Sequence, residues 1–76
     1  MAFSRITHDP GVLGGKPCIR GLRISVSTIV GLVASGVSRE RILTAYPLLE
    51  GPDIDEALAY ATWRLMEREE LLVLRL

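Results

Sequence analysis

His8 is the only histidine in this chain of 76 residues and Cys18 the only cysteine, so catalysis would have to be assembled around very little. A histidine base or a histidine-bearing metal cluster would form around His8 alone. Beside Asp9-Pro10 that residue reads as part of a turn, hydrogen-bonded to backbone. One cysteine rules out an intrachain disulfide and argues against a Cys-based zinc site. Lys16 and Arg20 flank Cys18 and would activate its thiol if they faced it. A small residue in a β-bridge is the better reading. Gly14-Gly15-Lys16 invites comparison with a phosphate-binding loop. The pattern fails on both sides, with Pro10 where the first glycine belongs and Pro17 where a hydroxyl should meet magnesium. Asp53, Asp55 and Glu56 lack a further ligand group at metal spacing. The residues predict no enzyme, no metal and no cofactor.

Binding to nucleic acid is a more open expectation. Three helices with a short middle one resemble a helix-turn-helix, whose recognition helix offers basic or amide groups near its N-terminus. Here that end carries Asp53, Asp55 and Glu56, which phosphates repel. A better surface is the basic front, Lys16, Arg20 and Arg23, joined by Arg39 and Arg41 and doubled in a homodimer. Charge is divided to match. Residues 1–41 hold six basic and two acidic side chains, whereas residues 42–76 hold three basic and seven acidic ones. The net charge of zero therefore conceals a basic half for a polyanion and an acidic half for something else, unless both are ordinary solvated charge.

The elements that position these groups follow from turn and cap chemistry. Asp9-Pro10-Gly11 and Gly14-Gly15-Lys16-Pro17 are turns. Between and after them lie short β-prone pieces, Arg5-Ile6-Thr7, Cys18-Ile19-Arg20 and Leu22-Arg23-Ile24. Gly21 favours a tight hairpin between the last two, with Ile19 and Ile24 turned to the core. A first helix is expected from Val26 to Ser35, capped by Ser25 and ended by Gly36. Its buried stripe is Val26, Ile29, Val30 and Val33. Ser38 caps a second helix through Tyr46, with Val37 and Ile42 at hydrophobic-staple spacing and Pro47 as the stop. A third starts near Gly51-Pro52-Asp53, its acids complementing the helix dipole, and runs to about Glu69. Ile54, Ala57, Leu58, Ala61 and Leu65 form its core stripe. Ala59, Trp63, Met66 and Glu70 share another face, on which Trp63 is either a large residue at the core edge or an interface anchor.

The chain is thus one domain, with a strand and turn segment over 5–25, three helices over 26–69 and an apolar tail over 71–76. Nearly half its residues are hydrophobic and its mean hydropathy is +0.31, high for a domain with so small a core. Burial against another chain reconciles the two, so a homodimer or hetero-complex is expected. Leu71-Leu72-Val73-Leu74-Arg75-Leu76 needs cover, whether as a strand added to a sheet or as a helix entering a partner's groove. No run approaches the roughly eighteen apolar residues of a membrane span. Met1-Ala2-Phe3-Ser4-Arg5 lacks the core of a secretory signal, so the expected location is cytoplasmic.

Several of these runs carry a resemblance. Ile6-Thr7-His8-Asp9-Pro10, followed by Gly14-Gly15-Lys16-Pro17-Cys18-Ile19-Arg20-Gly21-Leu22-Arg23-Ile24, resembles the signature of the domain-of-unknown-function 433 family. Gly36-Val37-Ser38 with Ile42, Tyr46-Pro47-Leu48, and Asp53-Ile54 with Ala57-Leu58-Ala59-Tyr60-Ala61 are similar to its later motifs, so residues 5–62 are covered. Glu50 departs from the pattern, which has a threonine cap there. The resemblance implies a mainly α domain, three helices of homeodomain-like or winged-helix type with a short N-terminal β segment. It also implies the antitoxin of a type II toxin–antitoxin pair that holds a PIN-like ribonuclease inactive, often as a dimer and with its operator DNA as a further ligand. On that reading the partner-binding residues are Trp63, Met66, Leu72, Leu74 and Arg75, and the nucleic-acid-binding residues are Lys16, Arg20 and Arg23. The alternatives are a homodimeric DNA-binding regulator and a non-catalytic scaffold.

Overall fold

The structure, a computed structural model, describes residues 3–75, with side chains described through Met66. Three helices carry most of the chain: α1 (Val26–Ala34), α2 (Arg39–Ala45) and α3 (Gly51–Arg75). They are preceded by two short strands, β1 (Ile6–Thr7) and β2 (Cys18–Ile19). The strands pair antiparallel, Ile6 with Ile19 and Thr7 with Cys18. A two-strand ribbon is too small to stand alone, and this one is held against the helices by Ile6 and Ile19 in a core shared with Val26, Ile29, Ile42, Leu49, Ile54, Ala57 and Tyr60.

Local chemistry sets most boundaries. The Ser25 hydroxyl accepts the Thr28 N–H at 3.1 Å, and the Ser38 hydroxyl accepts the Arg41 N–H at 3.2 Å. Each supplies an acceptor to the unpaired N–H groups of a first turn. Gly36, with φ 83°, lets the chain leave α1 in the left-handed region, and the Val37 N–H closes back on the Leu32 carbonyl at 3.1 Å. At the start of α3, the Asp53 carboxylate reaches back to the Glu50 N–H at 2.8 Å. This is the return half of a capping box, made by Asp53 although Glu50 holds the place of the threonine cap.

The predicted hairpin is present only as its turn. Arg20 (φ 44°) and Gly21 (φ 73°) occupy its central positions, closed by Leu22 N–H to the Ile19 carbonyl at 2.7 Å. Positive φ at both positions is the geometry of a tight hairpin turn. The piece Leu22-Arg23-Ile24 is not a strand, however. Two bonds, from the Ile19 N–H to the Ile24 carbonyl and from the Val26 N–H to the Pro17 carbonyl, flank a single bridge between Ser25 and Cys18, and the pairing goes no further because Ser25 must already turn to cap α1. Ile24 is half-buried beside a fully buried Ile19.

Three packing expectations are corrected. Val33 and Leu65, both at helical core spacing, are 37 % and 63 % exposed among the described residues. Tyr60, three residues after Ala57, is buried instead, at a position outside the expected stripe. The third helix does not stop near Glu69 but continues to Arg75, so the backbone of the tail is helix rather than strand. Among the described residues no helix is long and apolar enough to cross a membrane.

Candidate partner-binding site

The most polar part of the interior lies where the N-terminal segment, the β2 turn and the start of α3 meet. Asp53 is fully buried. Its Oδ1 accepts Arg5 Nη1 at 2.8 Å and Arg20 Nε at 3.1 Å, and its Oδ2 accepts Arg20 Nη2 at 3.0 Å and the Glu50 N–H at 2.8 Å. Arg20 also donates to the Leu48 carbonyl at 2.6 Å, and Arg5 Nη1 to Glu50 at 2.8 Å. Both guanidiniums keep about a third of their surface in water. A left-handed backbone is unusual for a residue with a Cβ. At Arg20 it is held by these bonds, which aim the side chain at α3. Glu56 accepts the Arg5 backbone N–H, and Arg39 pairs with Asp55 and the Gly51 carbonyl. The acids of α3 are therefore structural clasps. Sequence reasoning assigned them only to the helix dipole.

This changes the basic front. Arg20 is bound to Asp53 and Arg39 to Asp55, so neither presents an unengaged cation to a phosphate. Lys16 and Arg23 are exposed. Of the expected triplet, the structure leaves Lys16 and Arg23 exposed and ties the third, Arg20, to Asp53 while part of its side chain stays in water. Among the described residues no cluster of three or more His, Cys, Asp or Glu side chains is placed to hold a metal. Cys18 is buried in β2 between its two bridges.

A second feature surrounds Tyr60. His8 Nε2 lies 3.0 Å from its hydroxyl, a side-chain partner where a backbone one was expected. Phe3 meets the Tyr60 ring edge-on with centroids 5.3 Å apart, and Trp63 packs on both rings at 5.6 and 5.9 Å. Such edge and tilted contacts suit the aromatic quadrupole. Trp63 is thus half-buried, a core-edge residue that still shows part of its surface. Tyr60 and Arg64 stand between two depressions. One, of about 360 Å³, is walled by Phe3, His8 and Trp63. The other, of about 320 Å³, is an apolar furrow between α1 and α3, walled by Pro17, Val26, Val30, Ala61 and Leu65 with Lys16 at its side. Beyond them, Leu65 and Met66 are 63 % and 56 % exposed, adjacent apolar residues on a helix that continues past both. The side chains of Leu72, Leu74 and Arg75, also expected to meet a partner, lie outside the described residues.

The profile of the family described as protein of unknown function DUF433 matches residues 6–61. The chain belongs to that family. A DUF433 member protein from Anabaena variabilis, solved by crystallography, is similar in fold, with a TM-score of 0.75 and 30 % identity over 91 % of this chain and 68 % of that one. Uncharacterized protein y4eO of Sinorhizobium fredii is 43 % identical over 56 residues, 74 % of this chain. This chain spans only 25 % of that relative's length. The part of the DUF433 domain that the profile covers runs from Ile6 to Ala61, so it includes Arg20, Glu50 and Asp53 of the clasp but not Arg5, and it stops before Trp63, Leu65 and Met66.

The clasp gives this DUF433 domain a defined acid response. Burial by itself raises the pKa of the Asp53 carboxyl. The hydrogen bonds from Arg20, Arg5 and the Glu50 N–H outweigh that, and its pKa is lowered below the ordinary value of 3.8. A carboxyl held lower in the folded than in the unfolded state stabilises the fold fully above the unfolded pKa. That contribution is lost as pH falls toward the folded pKa. Thermal unfolding followed between about pH 5 and pH 1 should show an acid loss of stability that Asp53→Asn flattens. An equal slope in both proteins would place the acid-sensitive group elsewhere.

Proposed function

We propose that this chain is a non-catalytic, homodimeric antitoxin that holds a PIN-like ribonuclease inactive, docking on it through the far part of α3. The observation that carries the reading is the exposed pair Leu65 and Met66 on a helix that runs on to Arg75 through Leu71-Leu72-Val73-Leu74. Large apolar side chains presented together on an ordered helix fit a groove in another protein, with Trp63 as a partly buried anchor at the base. Arg68 or Arg75 would pair with the carboxylates of a metal-dependent nuclease site, as cations do where they replace a metal. The family resemblance supports the nuclease as partner, and a homeodomain-like or winged-helix-type scaffold is the finer fold reading it suggests. Operator binding is the lesser part of the proposal, since it would rest on Lys16 and Arg23 with Arg20 held by Asp53.

The chain is to be co-expressed with the product of its neighbouring reading frame, and the mixture resolved by size exclusion with light scattering. A hetero-complex is expected for the full chain. Truncation after Glu70 should abolish it while circular dichroism still reports a folded domain. Unchanged capture by the truncated chain would exclude the tail as the docking element.

A further inference from the structure

We propose that the depression between the N-terminal segment and α3 binds a small aromatic monocarboxylate, with its ring against Phe3 and Trp63 and its carboxylate on Arg64 and the His8–Tyr60 pair. Phe3, Ile6, His8, Tyr60, Trp63 and Arg64 line this depression. At about 360 Å³ it lies near the small end of ligand sites, with room for one ring and a short side group. Ligand sites join an apolar wall to a few converging polar groups, and both are present here. Phe3, Tyr60 and Trp63 pack edge-on or tilted on one another, with centroids 5.3, 5.6 and 5.9 Å apart. A further ring added to such a wall finds the same edge and tilted contacts. Trp63 is only half-buried, which leaves part of its surface for that contact.

The polar groups select an anion. Among the described lining residues Arg64 is the one that always carries charge, and a guanidinium offers a carboxylate two parallel N–H donors. His8 Nε2 lies 3.0 Å from the Tyr60 hydroxyl, and a neutral imidazole has one N–H. If Nε2 carries it, the imidazole donates to the hydroxyl oxygen and the hydroxyl proton is left for another acceptor. If Nδ1 carries it, the hydroxyl donates to Nε2 and the Nδ1–H is left instead. Either tautomer therefore leaves the pair one donor, and an oxygen of the ligand can take it. One cation and one neutral donor match a single negative charge. A phosphate dianion calls for a second cation, and Lys16 lines the furrow on the other side of Tyr60 and Arg64.

The chain has a single tryptophan and a single histidine, and both line the site, so each gives one side-chain signal in proton–nitrogen NMR. Phenylacetate added to the full chain, with no other protein present, should shift the Trp63 indole and His8 imidazole signals saturably. Acetate lacks the ring and phenylacetamide lacks the charge, and each should bind more weakly by about tenfold. Arg64→Gln should weaken phenylacetate by about tenfold and leave phenylacetamide unchanged. Arg64 is exposed, and circular dichroism checks that the variant folds. No saturable shift, equal affinity for phenylacetate and phenylacetamide, or full phenylacetate binding by Arg64→Gln would each overturn the site. So would shifts confined to Val26, Val30 and Ala61, which would put the ring in the furrow. Ligand binding by the lone chain neither requires nor excludes capture of the nuclease, so either can fail alone.

Discussion

Asp53→Ala is expected to lower the unfolding free energy by about 2–3 kcal/mol and the thermal midpoint by roughly 10–20 °C. The substitution removes one carboxylate, so the Glu50 N–H loses its acceptor while Arg5 keeps only Glu50 and Arg20 keeps only the Leu48 carbonyl. Breaking one member of a buried ion cluster is more damaging than its net worth, because the partners keep their desolvation without compensation. Both guanidiniums remain about one-third exposed and regain water readily, which keeps the loss at the lower end of that range. The companion variant Arg5→Met, Arg20→Met, Asp53→Leu replaces the whole cluster with apolar groups and should recover much of the lost stability. Urea unfolding of the three proteins settles the comparison. If Asp53→Ala matches wild type, the cluster contributes nothing.

Tyr60→Ala should cost about 3 kcal/mol. The side chain is only 7 % exposed, and its ring is the contact shared by Phe3, His8 and Trp63. Tyr60→Phe keeps the ring and loses only the bond to His8, so about 1 kcal/mol is expected. The ratio separates packing from hydrogen bonding. Equal losses in the two variants would mean that the His8–Tyr60 bond, rather than the aromatic cluster, ties the N-terminal segment to α3.

Much of the scaffold was legible in the sequence because caps and turns are local. Ser25, Ser38, Gly36 and Gly21 each act on neighbours within a few residues, and each does so in the structure. The family, too, could be read from its motifs. The clasp was not legible. Arg20 and Asp53 are 33 residues apart and Arg5 and Asp53 are 48, and no spacing rule joins positions so distant. Their charges were therefore assigned to solvent-facing work, Arg20 to phosphates and Asp53 to the helix dipole. Val33 and Leu65 were misplaced for another reason. Helical periodicity reports that a face is apolar, without reporting whether the cover comes from the same chain. Tyr60 was passed over because Leu58 and Ala61 completed a stripe around Ala57 that Tyr60 fits equally well.

The clasp also sets an order of assembly. Contacts between α1 and α2 and between α2 and α3 join neighbouring helices, so little chain entropy is lost in closing them. The N-cap of α3 is completed by Asp53, and Asp53 is neutralised by arginines carried on the N-terminal segment and the β2 turn. The helix start is therefore finished only once the front of the chain has docked. Mutations in the front then act mainly on the rate of unfolding and little on the rate of folding. Lifting the first few residues away from α3 would be the step that exposes the rest of the domain to proteases.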